Sequence, residues 1–347
     1  MPSGRVLRGL NALTRPPTRA VVTVGMFDGV HIAHQRLLQT TITVARRLRG
    51  TSVAMTFDPD PQIVLDPAHA QPALMPLDAR VAALRGLGVE RVWVIPFTKR
   101  FARMTAEQFI RRVLVGRLHA VAVVVGATFA FGRNRQGDMA VLQILGPSYG
   151  MRVMAVREVR RGGKPVSSSR IRRLIGMGQL AHATRLLGRP PALYGVVVRG
   201  AGRGRRLGFP TANLRLIDQV LPPRGVYAVV LAREDGRRTR RGVTPPPLSV
   251  RGKRTAWPLR FSGGTLIGGG VMNLGVRPTF GGGPLICEVH LLGFSGSLRG
   301  QSVSVLLLAR LRDERCFSSW RSLQRQVRSD IARARRFFTR HRGLLAG

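Results

Sequence analysis

The sequence predicts a two-domain chain: a parallel α/β sheet domain, then a small antiparallel β-barrel ending in a C-terminal helix. Three observations predict it. Short apolar runs alternate with helix-like segments through the first half, the texture of parallel strands joined by crossover helices. Around Gly188 to Pro191 that texture changes to short strands separated by glycine-rich turns, which suits a barrel. The 347 residues also match about two domains, each large enough for its own core.

The N-terminus carries Arg5, Arg8, Arg15 and Arg19 with no acid before Asp28, a weak likeness to an organelle transit peptide. Pro16, Pro17 and the scarcity of serine oppose that likeness. Val21 to Val24 reads as a short buried strand, followed by a glycine turn and a helix from His31 to Leu48. Ser52 to Phe57 is a second strand that ends at a proline-rich turn, and Arg91 to Ile95 is a third. Thr105-Ala-Glu-Gln opens a helix with a capping-like start. The continuous apolar run Ala120 to Val125 suits a central parallel strand buried on both faces. Each strand is followed by a glycine- or proline-bearing loop at its C-terminal end, where open α/β sheets bind ligands.

Past the change of texture, strands are expected at Tyr194 to Val198, Tyr227 to Leu231, Val271 to Leu274, Leu285 to Leu292 and Ser302 to Leu308. Ser318 to Leu344 reads as a basic helix. The segment Arg233 to Gly270 fits no element and is expected to be an insertion, since long featureless loops are rare inside compact domains. The expected domains are therefore 1–187 and 188–347, with the insertion at about 233–270.

Two cysteines, Cys287 and Cys316, are too few for a disulfide framework and lack metal-ligand spacing, which points to a reducing, cytoplasmic setting. No apolar run reaches the roughly 18 residues that a membrane span needs. The net charge of +41 invites a nucleic-acid reading. Yet only three of the 57 basic side chains are lysine (Lys99, Lys164 and Lys253), and the arginines are scattered along nearly the whole chain. That composition reads as pressure towards G+C-rich codons, with non-specific RNA contact at low salt as its by-product.

Two motifs carry chemistry. Gly25-Met-Phe-Asp-Gly-Val-His-Ile-Ala-His-Gln follows a strand and opens a helix, a junction that offers free N–H groups and a positive dipole end to an anion. His31 and His34, three residues apart, leave the same face of the first turn, where their partial or full positive charge suits phosphates. Val166-Ser-Ser-Ser-Arg-Ile-Arg-Arg forms a second hydroxyl- and arginine-rich helix start. The other motif is Gly200-Ala-Gly-Arg-Gly-Arg-Arg-Leu-Gly-Phe-Pro-Thr-Ala-Asn-Leu. Gly202 and Gly204 allow close main-chain approach, and Thr211 and Asn213 offer oxygens for Mg²⁺ and ATP. Glu288 shares a strand face with His290 and Leu292 and can act as a base.

Together with Thr56-Phe-Asp-Pro-Asp-Pro, Val125-Gly-Ala-Thr-Phe-Ala-Phe-Gly, Arg135-Gln-Gly-Asp and Leu186-Leu-Gly-Arg-Pro, the first motif resembles the FAD-synthetase module of prokaryotic bifunctional riboflavin kinase/FMN adenylyltransferases. The glycine–arginine motif resembles their riboflavin kinase signature. Leu221-Pro-Pro-Arg-Gly-Val-Tyr, Asn273-Leu-Gly-Val-Arg-Pro-Thr-Phe, Cys287-Glu-Val-His-Leu-Leu and Arg312-Asp-Glu-Arg-Cys-Phe follow in family order. The resemblance implies a nucleotidylyltransferase-like, Rossmann-like first domain and a riboflavin kinase barrel, acting on riboflavin, FMN and ATP with Mg²⁺. It implies that Gly25, Phe27, Asp28, His31, His34, Gly126, Ser168, Ser169 and Arg172 bind ATP for adenylylation, with His31 and His34 catalytic. It implies that Gly202, Gly204, Thr211 and Asn213 bind ATP for phosphorylation, that Glu288 is the catalytic base, and that Arg312 and Phe317 touch the flavin.

The chain departs from the family pattern at Asp60, Thr128 and Ala130, which leaves a riboflavin kinase with a decayed first domain as an alternative. A basic RNA-binding protein on an old enzyme fold is the alternative from another class.

Overall fold

A computed structural model of the chain describes residues 5–12, 14, 16–206, 208–234, 264–276 and 285–341. They form two compact units, Met1–Pro72 with Leu77–Ser167, and Ala73–Pro76 with Ser168–Gly347.

The first unit is built on six parallel strands: β1 (Arg5–Arg8), β2 (Ala20–Val24), β3 (Ser52–Asp58), β4 (Arg91–Pro96), β5 (Ala120–Gly126) and β6 (Arg152–Val156). Their order in the sheet is β1-β4-β3-β2-β5-β6. Chain order reverses direction between β2 and β5, so the crevice at their C-terminal ends is the topological switch point where such sheets bind ligands. All five residues of β2 are buried, as expected of a strand covered on both faces. Helix α1 (Ile32–Arg47) buries Leu37, Leu38, Thr41, Ile42, Val44 and Ala45, a stripe at helical spacing. The short α2 (Pro61–Leu65) and then α3 (Leu77–Gly86) lead from β3 to β4.

Two short helices follow β4, α4 (Lys99–Ala102) and α5 (Ala106–Phe109). The start expected at Thr105 is a full capping box, in which the Thr105 and Gln108 side chains each accept from the other's backbone N–H. Helix α6 (Met139–Ser148) precedes β6, and a two-residue hairpin of β7 (Arg160–Arg161) and β8 (Lys164–Pro165) ends the unit. The basic N-terminal residues Arg5–Arg8 are an edge strand in parallel register with Arg91–Val94.

The second unit opens with α7 (Ser168–Gly176) and α8 (Leu180–Leu187). Its centre is a closed antiparallel barrel of β9 (Ala192–Val198), β10 (Ala212–Leu216), β11 (Gly225–Glu234), β12 (Gly264–Val276), β13 (Leu285–Leu291) and β14 (Ser302–Asp313). The order around it is β10-β13-β12-β11-β14-β9. A four-residue helix, α9 (Arg203–Arg206), lies between β9 and β10. Strand alternation divides the side chains between two cores. Val197, Leu214, Tyr227, Met272, Val289 and Val305 belong to one. Val226, Val230, Val271 and Leu306 turn the other way and pack with Ile331, Ala334 and Phe338 of α10 (Trp320–Arg340).

The segment expected to be an insertion is strand at both ends. Arg233 and Glu234 finish β11, and Gly264 to Gly270 begin β12, with Glu234 paired to Gly264. Glycine-rich sequence hid this, because Gly268, Gly269 and Gly270 carry no β-propensity. Gly269 is needed there, since a Cβ would stand 2.8 Å from the Phe338 ring. The rest of the expected insertion, 235–263, lies outside the described residues.

Candidate functional site

Two clusters of polar side chains stand out. In the first unit, Gly25 follows β2 and Gly126 ends β5, so both flank the switch point. A Cβ on Gly126 would meet nothing within 4 Å, so the main chain there is open to a ligand. Between β2 and α1 the turn holds Phe27 and Val30 at φ 52° and 38°. Such left-handed conformations cost non-glycine residues about 1–3 kcal/mol each and cluster at functional sites.

His31 is the N-cap of α1, and its Nδ1 accepts from the His34 backbone N–H at 3.3 Å. An accepting Nδ1 leaves Nε2 to carry the proton of the neutral ring. The two imidazoles stack with centroids 3.5 Å apart, and the Phe27 ring meets His34 edge-on at 5.4 Å. The first turn of α1 contains no acid, so its dipole is left to act on an anion.

Burial pushes the His34 pKa well below the usual 6.5, and the neighbouring His31 and Arg80 push the same way. Its Nδ1 is enclosed without a hydrogen-bond partner. His34 is therefore a neutral imidazole at physiological pH, and of the charge expected on the pair its ring carries none. Phe27 is 0% exposed, so its side chain supports His34 and only its main chain is available to a nucleotide. Asp28 is buried.

Arg80, which no motif marks, has a buried guanidinium that lies under this turn and donates to the Met26 carbonyl at 2.9 Å. Asp60, where the chain departs from the family pattern, caps α2 by accepting from the Gln62 N–H at 2.9 Å. Its charge also favours the Arg80 cation. Thr128 is exposed, Ala130 is half-buried, and both lie in the loop after β5. Ser168, Ser169 and Arg172 occupy the first turns of α7, in the second unit, and that helix also has no acid in its first turn.

The second cluster lies on the barrel. Asn213 on β10 stands directly opposite Glu288 on β13, and Glu288 opposite Asn273 on β12, so the three side chains form one cross-strand row. Both neighbours of Glu288 on its strand, Cys287 and Val289, belong to the barrel core. Alternation therefore turns Glu288, Asn213 and Asn273 to the other face. Burial drives the Cys287 thiol up to about 12, with Glu288 adding to the effect. Leu292, expected to share the Glu288 face within the strand, comes one residue after β13 ends.

Glycines draw main chain onto this row. A Cβ on Gly200 would stand 2.2 Å from the Asn213 amide, and one on Gly204 would stand 2.8 Å from Thr211 Oγ1. The Phe209 N–H closes the loop by donating to the Gly204 carbonyl at 2.8 Å. His290 bonds the Pro210 carbonyl through Nδ1 at 2.9 Å and meets Phe209 edge-on. Gly202, at φ 70°, is exposed at the loop's tip.

Arg312, expected to touch the flavin, has protein partners on each of its guanidinium nitrogens. Its Nε and Nη2 grip the Asp330 carboxylate at 2.8–3.0 Å, with side chains only 10% and 4% exposed. Its Nη1 donates to the Asp313 carbonyl at 2.8 Å. The guanidinium is committed to holding α10, and Gln326 also donates to Asp330 at 2.9 Å. Phe317 lies against Arg312 at 5.8 Å, a cation–π contact, and is half-buried.

Among the described residues no group of three or more His, Cys, Asp or Glu side chains could hold a metal. A Mg²⁺ that keeps waters and nucleotide phosphates as ligands needs only one or two protein oxygens. The Thr211 hydroxyl and Asn213 amide oxygen fit that donor set.

A family model described as FAD synthetase matches residues 14–170, and one described as riboflavin kinase matches residues 187–338. A bifunctional riboflavin kinase/FMN adenylyltransferase of Escherichia coli K12 is 35% identical over 96% of this chain and 98% of its own length. A protein of the same name from Pseudomonas fluorescens is 35% identical over 95% and 97%. A solved Streptococcus pneumoniae structure named as a macrolide-efflux protein aligns with a TM-score of 0.75 and 29% identity, covering 92% of this chain and 95% of that one. No described helix of the present chain is long and apolar enough to cross a membrane.

Proposed function

The chain belongs to the bifunctional riboflavin kinase/FMN adenylyltransferase family, and from that premise we propose how its residues divide two ATP-dependent reactions. The chain phosphorylates riboflavin to FMN and adenylylates FMN to FAD. Residues 188–347 are assigned to the first reaction and residues 1–187 to the second; matched ranges of 187–338 and 14–170 support that order.

In phosphorylation, Glu288 accepts the proton of riboflavin's terminal hydroxyl as that oxygen attacks the γ-phosphate of ATP. The observation that carries this reading is the direct cross-strand pairing of Glu288 with Asn213. It sets a base beside the amide against which Gly200 of the glycine loop packs. Gly202 and Gly204 bring main-chain N–H groups to the phosphates, and Thr211 and Asn213 orient them. Thr211 and Asn213 would also hold Mg²⁺, which when bound offsets charge on the departing phosphates. Phe317 offers a ring face to the flavin, and Arg312 positions that ring.

In adenylylation, the FMN phosphate attacks the α-phosphate of ATP and pyrophosphate leaves. Gly25, the main chain of Phe27 and Asp28, and the start of α1 bind the nucleotide's phosphates, while Gly126 leaves room beside them. His31 and His34 contribute by hydrogen bonding, His34 as a neutral donor, and no covalent intermediate is required. Ser168, Ser169 and Arg172 are assigned to ATP in this reaction from the family resemblance. The capping role of Asp60 supports retained adenylylation over a decayed first domain. Two free thiols, Cys287 buried and Cys316 exposed, suit a cytoplasmic setting.

Replacing Glu288 by Gln tests the division. FMN formation should fall by about 100- to 10,000-fold, the usual worth of a general base, while supplied FMN is still converted to FAD. Kinase activity near the wild-type rate would remove Glu288 from the role.

A further inference from the structure

We propose that Arg80 is the positioning residue of the adenylylation site, its buried guanidinium tying the turn after β2 to the end of β3 and keeping positive charge beneath His34. The proposal deepens the assignment of that turn to ATP and rests on it. Arg80 is 6% exposed, a depth at which arginine is rare unless its charge and donors are answered.

The answers come from both sides of the site. Nη1 donates to the Met26 carbonyl at 2.9 Å and Nη2 to the Phe57 carbonyl at 3.3 Å. The Met26 carbonyl also accepts from the Thr56 hydroxyl at 3.1 Å. One carbonyl of the turn is thus held from α3 and from β3, immediately before Phe27, the residue at φ 52° whose ring supports His34. The third donor, Nε, is enclosed with no partner.

The charges around this guanidinium point to the same role. Burial lowers the Arg80 pKa, and Asp28 on the turn, Asp58 at the end of β3 and Asp60 at the start of α2 offset part of that lowering. His34 experiences His31 from its own helix start and Arg80 from α3, and both disfavour its protonation. Arg80 therefore works through the turn's main chain and through the protonation of His34, and needs no contact with substrate.

The full-length Arg80→Met and Arg80→Lys proteins test this with three readouts: kcat and KM for ATP in adenylylation, the NMR titration of the His34 ring, and riboflavin phosphorylation as an internal control. Arg80→Met should lower the adenylylation kcat by about tenfold or more and raise the pH at which His34 takes up its proton. Phosphorylation should be unaffected. Lysine keeps the charge but cannot grip two carbonyls with a planar fork. Arg80→Lys should therefore leave the His34 titration in place and recover part of the rate.

Wild-type adenylylation together with an unmoved His34 titration in Arg80→Met would overturn the proposal. Should that variant fail to fold, Arg80→Lys decides, and a His34 titration displaced from wild type in it overturns the charge role. A His31→Ala, His34→Ala variant that makes FAD undiminished would instead refute the assignment of the turn. If that double variant is inactive and Arg80→Met is not, only the role of Arg80 fails.

Discussion

His34 shows how burial changes what a residue can contribute. Spacing alone puts two imidazoles on one face of α1, where charge on them would suit phosphates. Enclosure under the turn, next to His31 and Arg80, makes His34 a neutral hydrogen-bonding ring. Its pKa is lower folded than unfolded, so below the unfolded value the unfolded chain binds more protons. Stability should therefore be fully present above the ordinary 6.5 and decline as pH falls towards the folded value. Thermal unfolding followed across that range should show the decline, and His34→Gln should flatten it. Cys287 is the opposite case, a thiol that burial pushes to about 12. Thiol-reactive reagent at neutral pH should label exposed Cys316 and spare Cys287 until the protein is denatured. Rapid labelling of native Cys287 would contradict its place in the barrel core.

Elements were legible where pattern and chemistry agreed. The buried β2, the continuous β5 and the capping box at Thr105 were all visible as sequence, because apolar runs and caps are local signals. Strand β6 was not, since Arg152–Val156 is exposed at most positions on the sheet edge. Strand β10 was hidden inside a motif read for its ligands, and the start of β12 inside glycines. Arg80 carried no signal, because one more arginine in so arginine-rich a chain looks like a solvated charge. The role of Arg312 was half legible. Its place near Phe317 follows the family order, but its partner Asp330 lies on α10, 18 residues on. Breaking a buried ion pair by removing one partner costs about 3–5 kcal/mol. Arg312→Ala should destabilise the second unit by that order in chemical denaturation, before any effect on flavin is considered. A loss under about 1 kcal/mol would mean that the pair does not hold α10.

For the molecule as a whole, function was more legible than mechanism. Motifs in family order predicted two reactions, and the matched ranges of 14–170 and 187–338 agree with them. The charge of +41 would be a poor guide by itself, because non-specific attraction to polyanions follows from charge alone and weakens steeply with salt. What spacing could not reveal is which face of the barrel Glu288 occupies, or that the glycine loop closes on Asn213. Both depend on strand register, which is set by partners distant in sequence.

One chain thus runs two chemically independent reactions linked by free FMN. Mixing two full-length variants that each keep one reaction, Glu288→Gln and His31→Ala, His34→Ala, with riboflavin, ATP and Mg²⁺ is the decisive measurement. Neither alone should convert riboflavin to FAD, and the mixture should release both FAD and pyrophosphate. A mixture that makes no FAD from riboflavin, or either variant making FAD from riboflavin unaided, would contradict it.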